Sequence, residues 1–189
     1  MFLTDIISIL DARSFSSPWF WLVLLAIWSF GGRRVLGIPA DVLADAGSSL
    51  RRYPSEARAE VVALLDWMSL NVPRWRMSPG VGAAITALIC FVLAVLIVLG
   101  FGANLEMAQA IVLLMLPQAI LLVLRVRLAA QLYWVLEAAE LGQPVPEAAT
   151  EALRRINRYR VLQMAISLVA VILAAFWATR WIVLHPHGV

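Results

Sequence analysis

Four long stretches without a charged residue divide the chain. They cover residues 14–32, 77–105, 107–124 and 161–179. A helix that crosses the hydrocarbon core of a bilayer needs about 20 predominantly apolar residues. The pattern therefore predicts four membrane-spanning helices, at residues 14–32, 80–101, 105–124 and 161–180.

The last two spans flank a polar segment, residues 125–160. Helix-forming residues continue from the third span to Gly142 without a breaker, and glycine commonly ends a helix. Pro146 suits the first turn of a returning helix, because the N–H that proline lacks would have no helical partner there. We therefore predict a helical hairpin at residues 125–160 that extends the third and fourth spans into the cytoplasm.

Two shorter amphipathic segments accompany the spans. Residues 1–12 carry apolar side chains mostly on one side of a helix too short to span, which predicts a helix lying in the membrane interface. In the loop at residues 33–78, Ser55 can cap a helix at residues 55–70. Its apolar residues recur at helical spacing and should face the membrane surface or the hairpin: Val61, Leu64, Leu65 and Met68.

Composition agrees with this pattern. Apolar residues make up 62% of the chain and charged residues 14%, far from the average of soluble domains. The predicted fold class is all-α: a polytopic membrane protein with four transmembrane helices, forming a single domain from residue 1 to residue 189 that ends in a tail at residues 181–189.

The arginines predict the orientation of the chain. All 15 basic residues are arginine; seven lie at residues 33–76 and six at residues 125–160, which leaves only Arg13 and Arg180 on the other side. Cytoplasmic loops of membrane proteins carry the excess of basic residues. We therefore predict a multi-pass protein of the bacterial inner membrane with both loops in the cytoplasm and both termini in the periplasm.

Several residues are candidates for contacts with partners or lipids. Small residues allow helices to approach closely in lipid, which selects Gly80 and Ala84 in the second span and Ala170, Ala174 and Ala178 in the fourth. Arginines and tryptophans suit headgroups or acidic partners, although the arginines also serve as the orientation signal. These candidates are Trp19, Trp21, Arg125, Arg127, Trp134, Arg154, Arg155, Arg158 and Arg160.

Polar residues near the spans offer little chemistry. Asn104, Glu106 and Gln109 at the start of the third span could line a polar path, but we interpret them as a short exposed turn. Gln118 and Gln163 are better explained by hydrogen bonds between helices than by catalysis.

No residue pattern predicts a cofactor, a metal site or an enzyme. His185 and His187 are two neighbouring histidines without a third ligand, so we interpret them as part of a frayed tail. The single cysteine, Cys90, excludes a disulfide and a four-thiolate cluster within the chain. Catalytic pairs of nucleophile and base are also missing from the sequence pattern.

The beginning of the chain resembles a known family. Residues 11–16 (DARSFS), 19–21 (WFW) and 35–39 (VLGIP), with Asp41, are similar to a family of small integral membrane proteins of alphaproteobacteria. Some members carry an automatic label as a component of the Suf iron-sulfur assembly complex. The resemblance implies that the aromatic N-terminal segment and the Leu-Gly-Ile-Pro turn recur in the family and serve a common partner.

These observations favour a non-catalytic accessory, scaffold or assembly subunit of a larger inner-membrane complex, such as a respiratory or photosynthetic one. The expected partners are membrane lipids and other integral membrane subunits. A net charge of +3 gives no support to nucleic-acid binding, and no small-molecule substrate is evident. The alternative is a small oligomeric transporter or lipid-handling membrane protein.

Overall fold

A computed structural model of the chain describes residue 15, residues 17–31 and residues 34–184. The predicted interfacial helix at residues 1–12 and the two histidines of the tail lie outside this part. The elements follow in the order α1 (Pro18–Gly31), β1 (Arg34–Val35), β2 (Ile38–Pro39), α2 (Ala40–Arg52), α3 (Ala59–Asn71), a 3₁₀ helix (Val72–Trp75), α4 (Pro79–Ile97), a π helix (Val98–Gly102), α5 (Glu106–Glu140) and α6 (Val145–Leu184).

Three of the helical segments are long and apolar enough to cross a membrane. They are Pro79–Gly102, Glu106–Glu140 and Val145–Trp181. The all-α class is thereby confirmed, and the length and composition of these helices indicate a membrane protein. In the described part of the chain, one ladder of two-residue β-strands departs from the helical pattern. The first predicted span, residues 14–32, corresponds to α1, which has 14 residues. At about 1.5 Å per residue, α1 is about 21 Å long, which is shorter than a hydrocarbon core of about 30 Å.

The chain forms two compact units. The apolar unit comprises Met1–Phe30, Pro79–Ile120 and Ala165–Val189. The polar unit comprises Gly31–Ser78 and Leu121–Met164. Helices α5 and α6 are continuous, and each contributes one half to each unit.

The polar unit begins with a β-hairpin built on the Leu-Gly-Ile-Pro turn. Its strands pair antiparallel, with Val35 opposite Ile38. Leu36 and Gly37 both have positive φ, 54° and 89°, as a two-residue type I′ turn requires. A Cβ on Gly37 would also lie 2.8 Å from Oδ1 of Asn71, so this position needs glycine for both reasons.

Helix α3 contributes the apolar stripe recognised in the sequence. Val61, Leu64 and Met68 are fully buried in the core of the polar unit. The helix begins four residues later than predicted, and the prediction of a Ser55 cap is wrong. Residues 54–55 form a turn, and the N-cap residue is Arg58, whose extended backbone carries no side-chain cap.

The core of the polar unit joins the loop helices to the hairpin. Helix α2, which the sequence analysis did not predict, contributes one apolar face, and its Gly47 lies against Leu153 of α6. The long helices contribute buried residues from both arms: Leu128, Ala129, Leu132, Val135, Ala148, Ala149, Ala152, Ile156 and Tyr159. Residues 34–78 therefore form part of a folded core instead of a connecting loop with a single helix.

The core of the apolar unit is small and aromatic. Phe20 and Leu24 of α1 are buried together with Ala110 of α5 and Ala174 and Ala178 of α6. Alanine on both long helices allows α1 to approach them closely. This packing holds α1 beside the ends of α5 and α6 that carry the polar residues described next.

Candidate functional site

A buried polar cluster lies at the start of α5. The side chain of Glu106 is 7% exposed and that of Gln109 is 1% exposed. Glu106 accepts hydrogen bonds from the backbone N–H of Phe15 (2.5 Å) and from Nε1 of Trp181 (3.1 Å). The interpretation of Glu106 and Gln109 as an exposed turn was therefore wrong, because residues distant in the sequence cover them.

Gln109 connects three helical segments of the apolar unit. Its Nε2 donates to the carbonyl oxygen of Gly100 at 2.7 Å, and its Oε1 accepts from Nε1 of Trp177 at 2.8 Å. One side chain thus joins the π helix, α5 and α6. Buried polar groups are stable only when such partners are present.

Gly100 permits this arrangement. A Cβ at this position would lie 2.9 Å from the backbone nitrogen of Gln109 and 3.2 Å from the carbonyl carbon of Ala108. The π helix that contains Gly100 leads into a turn in which Asn104 has a positive φ of 56°. Asparagine tolerates this conformation better than most residues. Asn104 is itself exposed, as predicted for this turn.

A cavity of about 260 Å³ opens beside the cluster. Its wall contains Asn104, Gln109, Trp177, Arg180 and Trp181. The guanidinium carbon of Arg180 lies 5.1 Å from the centre of the Trp177 ring, within range of a cation–π interaction. The cavity therefore offers aromatic surface and one positive charge.

A second, almost entirely apolar crevice of about 300 Å³ lies between α5 and α6 in the same unit. Leu113, Pro117, Val169 and Leu173 contribute to its wall. Gln118 lies near it in sequence and is half-buried. Gln163 belongs to the polar unit, where it is buried.

The arginine candidates of the polar unit divide into two groups. Arg155 is held in place, since its guanidinium binds Glu151 at 2.8 Å and the backbone oxygen of Gln131 at 2.7 Å. Nε of Arg125 donates to the hydroxyl of Tyr159 at 2.9 Å. The remaining arginines are exposed or half-buried on the surface: Arg127, Arg154, Arg158 and Arg160.

Arg154, Arg155 and Arg158 border an open polar groove together with Gln131 and Glu151. The groove has room for an anion, but Glu151 contributes a negative charge to it. Trp134 of α5 is largely exposed on the same unit. This surface offers contacts to an acidic or aromatic partner without a defined ligand geometry.

The candidate contact residues of the apolar unit also fall into two groups, exposed and buried. Gly80 and Ala84 are exposed on α4, and nothing lies within 4 Å of a Cβ on Gly80. Ala174 and Ala178 are instead buried against other residues of the unit, so the chain itself occupies this part of the face, whereas Ala170 is buried in the wall of the crevice between α5 and α6. Trp19 is exposed, whereas Trp21 donates its Nε1 to the backbone oxygen of Phe15 at 3.1 Å.

Sequence reasoning missed the pairing of Glu106 with Trp181 because 75 positions separate them. The spacing of polar and tryptophan residues in the sequence did contain a signal for this pairing. Glu106 and Gln109 are three residues apart at one end of α5, and Trp177 and Trp181 are four apart near one end of α6. Two acceptors and two indole donors at matching ends of neighbouring helices favour hydrogen bonds across the pair.

Within residues 15, 17–31 and 34–184, no three His, Cys, Asp or Glu side chains come together in a group that could hold a metal ion. Cys90 is exposed on α4. Searches against family models, curated proteins and solved structures found no match to the chain.

Proposed function

We propose that the protein is a non-catalytic accessory, scaffold or assembly subunit of a larger inner-membrane complex. The observation that carries this proposal is the exposure of α4. Within its apolar window only 11% of residues are buried, against 33% in α5 and 22% in α6. A helix with so few contacts inside its own chain is available to a neighbouring subunit.

The composition of α4 favours protein over lipid as its neighbour. Gly80, Ala83, Ala84 and Ala87 fall on one side of the helix, and all four are exposed. Leu93, the residue of α4 that is buried, lies on the opposite side. Small residues contribute little to contact with lipid chains, but they allow another helix to pack closely.

The polar unit supplies a second surface for the same role. Trp134 and Arg154 are exposed there, and tryptophan and arginine are enriched where proteins bind one another. Neither belongs to the core of the unit. The resemblance of the N-terminal segment to a bacterial membrane family fits a role that depends on a common partner.

The proposal includes a topology of four passes with the polar unit in the cytoplasm. The distribution of 13 of 15 arginines over residues 33–76 and 125–160 supports this orientation. The packing of α1 beside α5 and α6 supports a short first pass. Reporter fusions at both termini and at Gln143 test the topology, and a cytoplasmic signal from either terminus would contradict it.

The alternative of a transporter requires a water-filled path lined by Glu106, Gln118 or Gln163. Hydrogen bonds to indoles and backbone groups occupy the side chains of Glu106 and its neighbour Gln109. A path for a polar substrate needs groups that are free to exchange partners. The geometry therefore gives more support to the accessory role.

Affinity purification from native membranes in mild detergent tests the proposed function. We expect stoichiometric integral membrane partners with the wild-type chain and their loss with Ala84→Phe, which adds bulk to the small-residue side of α4. Ile85→Phe is the matched control, because Ile85 is also exposed but lies about 100° away around the helix. A clean monomer, with no membrane complex altered on deletion of the protein, would refute the proposal.

A further inference from the structure

The cavity and the crevice of the apolar unit lie along one stripe of α6. Val169 and Leu173 border the crevice, and Trp177, Arg180 and Leu184 border the cavity. Their spacing of three or four residues places them on one side of the helix. On α5, Gln109, Leu113 and Pro117 follow the same spacing from the cavity to the crevice.

The crevice is apolar and the cavity is polar, which matches the two parts of an amphiphile, its acyl chain and its headgroup. The crevice is lined almost entirely by apolar atoms, whereas the cavity wall contains a guanidinium, two amides and two indoles. Arg180 carries the one charge in the cavity wall. An arginine can bind a phosphate through two parallel hydrogen bonds. A headgroup with a net negative charge is attracted more strongly to Arg180 than a zwitterionic one, because the ammonium of a choline offsets the charge of its phosphate.

The stripe is long enough to cover one leaflet of a bilayer. Val169, inside the crevice, lies 11 positions before Arg180, which corresponds to about 16 Å along the helix, and the crevice continues past it to Ala165. Half of a hydrocarbon core is about 15 Å thick. With Arg180 among the headgroups, the crevice therefore reaches the middle of the membrane, where the end of an acyl chain lies.

We propose that the apolar unit binds a phospholipid with an anionic headgroup. One acyl chain lies in the crevice between α5 and α6, and the phosphate contacts Arg180 and the amide of Asn104 in the cavity. Trp177 and Trp181 cover the region between head and chain, which is the position that tryptophan prefers at membrane interfaces. This lipid site is independent of the proposed docking surface on α4.

Lipid binding to the delipidated full-length protein tests the site. Phosphatidylglycerol and phosphatidylcholine are titrated in mixed micelles, and bound lipid is counted by native mass spectrometry. We expect phosphatidylglycerol to bind at least about tenfold more tightly, a difference of about 1.4 kcal/mol. Equal binding of the two lipids, or binding of inorganic phosphate at the same concentration as the lipid, overturns the proposal.

Two pairs of variants separate the headgroup contact from the chain contact. Arg180→Gln should remove the preference for phosphatidylglycerol, while Arg154→Gln, at an exposed arginine of the polar unit, should retain it. Val169→Trp should fill the crevice and weaken both lipids at least about tenfold, about 1.4 kcal/mol. Leu168→Trp should leave the binding of both lipids unchanged, because Leu168 is exposed on another side of α6. Equal effects within either pair overturn the assignment.

Discussion

The hydrogen bonds of Gln109 allow us to predict how much stability the apolar unit loses when this side chain is replaced. Gln109→Met keeps an unbranched side chain of similar length but removes both the donor to Gly100 and the acceptor for Trp177. Gly100 is buried, so its carbonyl oxygen gains no water in compensation. Trp177 is half-buried, so its N–H can find water more easily.

The expected destabilisation is about 2 kcal/mol. A buried group left without its partner costs about 1–3 kcal/mol, and a net hydrogen bond contributes about 0.5–1.5 kcal/mol. Hydrogen bonds between membrane helices average only about 0.6 kcal/mol. We therefore take a value near the lower end of the range that these two contributions give when they are added. For a soluble protein of similar size, about 2 kcal/mol lowers the melting temperature by about 4–8 °C.

Thermal unfolding in mild detergent, followed by circular dichroism, measures this change. Gln131→Met is the matched control, because Gln131 lies on the same helix and its side chain is exposed. We expect the control to melt within about 2 °C of the wild type, as for other surface substitutions. If Gln109→Met melts together with the control, the cluster does not stabilise the unit and the reasoning fails.

Three further substitutions, each with a control on the same chain, are followed by the same melting measurement. Gly100→Ala should cost about 1–3 kcal/mol because its Cβ meets the backbone of Gln109, whereas Gly82→Ala, with nothing within 4 Å of its Cβ, should cost nothing. Gly37→Ala should cost about 1–2 kcal/mol from its left-handed conformation alone, and Gly47→Ala, where the contact is an ordinary one, should be neutral or stabilising. Leu64→Ala should cost about 2–5 kcal/mol in the core of the polar unit, against less than about 0.5 kcal/mol for Leu70→Ala on its surface. Equal melting temperatures within any pair would contradict the packing described for that position.

The long helices were predictable because their signals are local. An uncharged run and a helix-ending Gly142, which has φ 106° in the structure, are visible over a few turns of chain. Helix α2 was missed because its sequence contains Gly47, Ser48 and Ser49, which favour other conformations over a helix. Its apolar face is stable as a helix only when α3 and α6 cover it, and that packing is not a local property.

The length of α1 shows where a local rule is insufficient. Residues 14–32 are long enough to span by composition, but α1 begins at Pro18 and ends at Gly31. Hydropathy measures how apolar a segment is, whereas the length of the helix depends on where its backbone finds other partners. Next to the start of α1, Phe15 uses its N–H for Glu106 and its carbonyl oxygen for Trp21.

The buried cluster and the proposed lipid site share Gln109, Trp181 and, most directly, Trp177. Gln109 accepts the hydrogen bond of the Trp177 indole N–H, and Arg180 lies over the ring of Trp177. A charged side chain that stacks on a fixed ring loses less rotational freedom on binding a ligand than one on a mobile ring. The cluster therefore serves as the support of the headgroup cavity, and a weakened cluster should lower lipid selectivity without removing the charge. On this argument, Gln109→Met reduces the preference for phosphatidylglycerol, but by less than Arg180→Gln does.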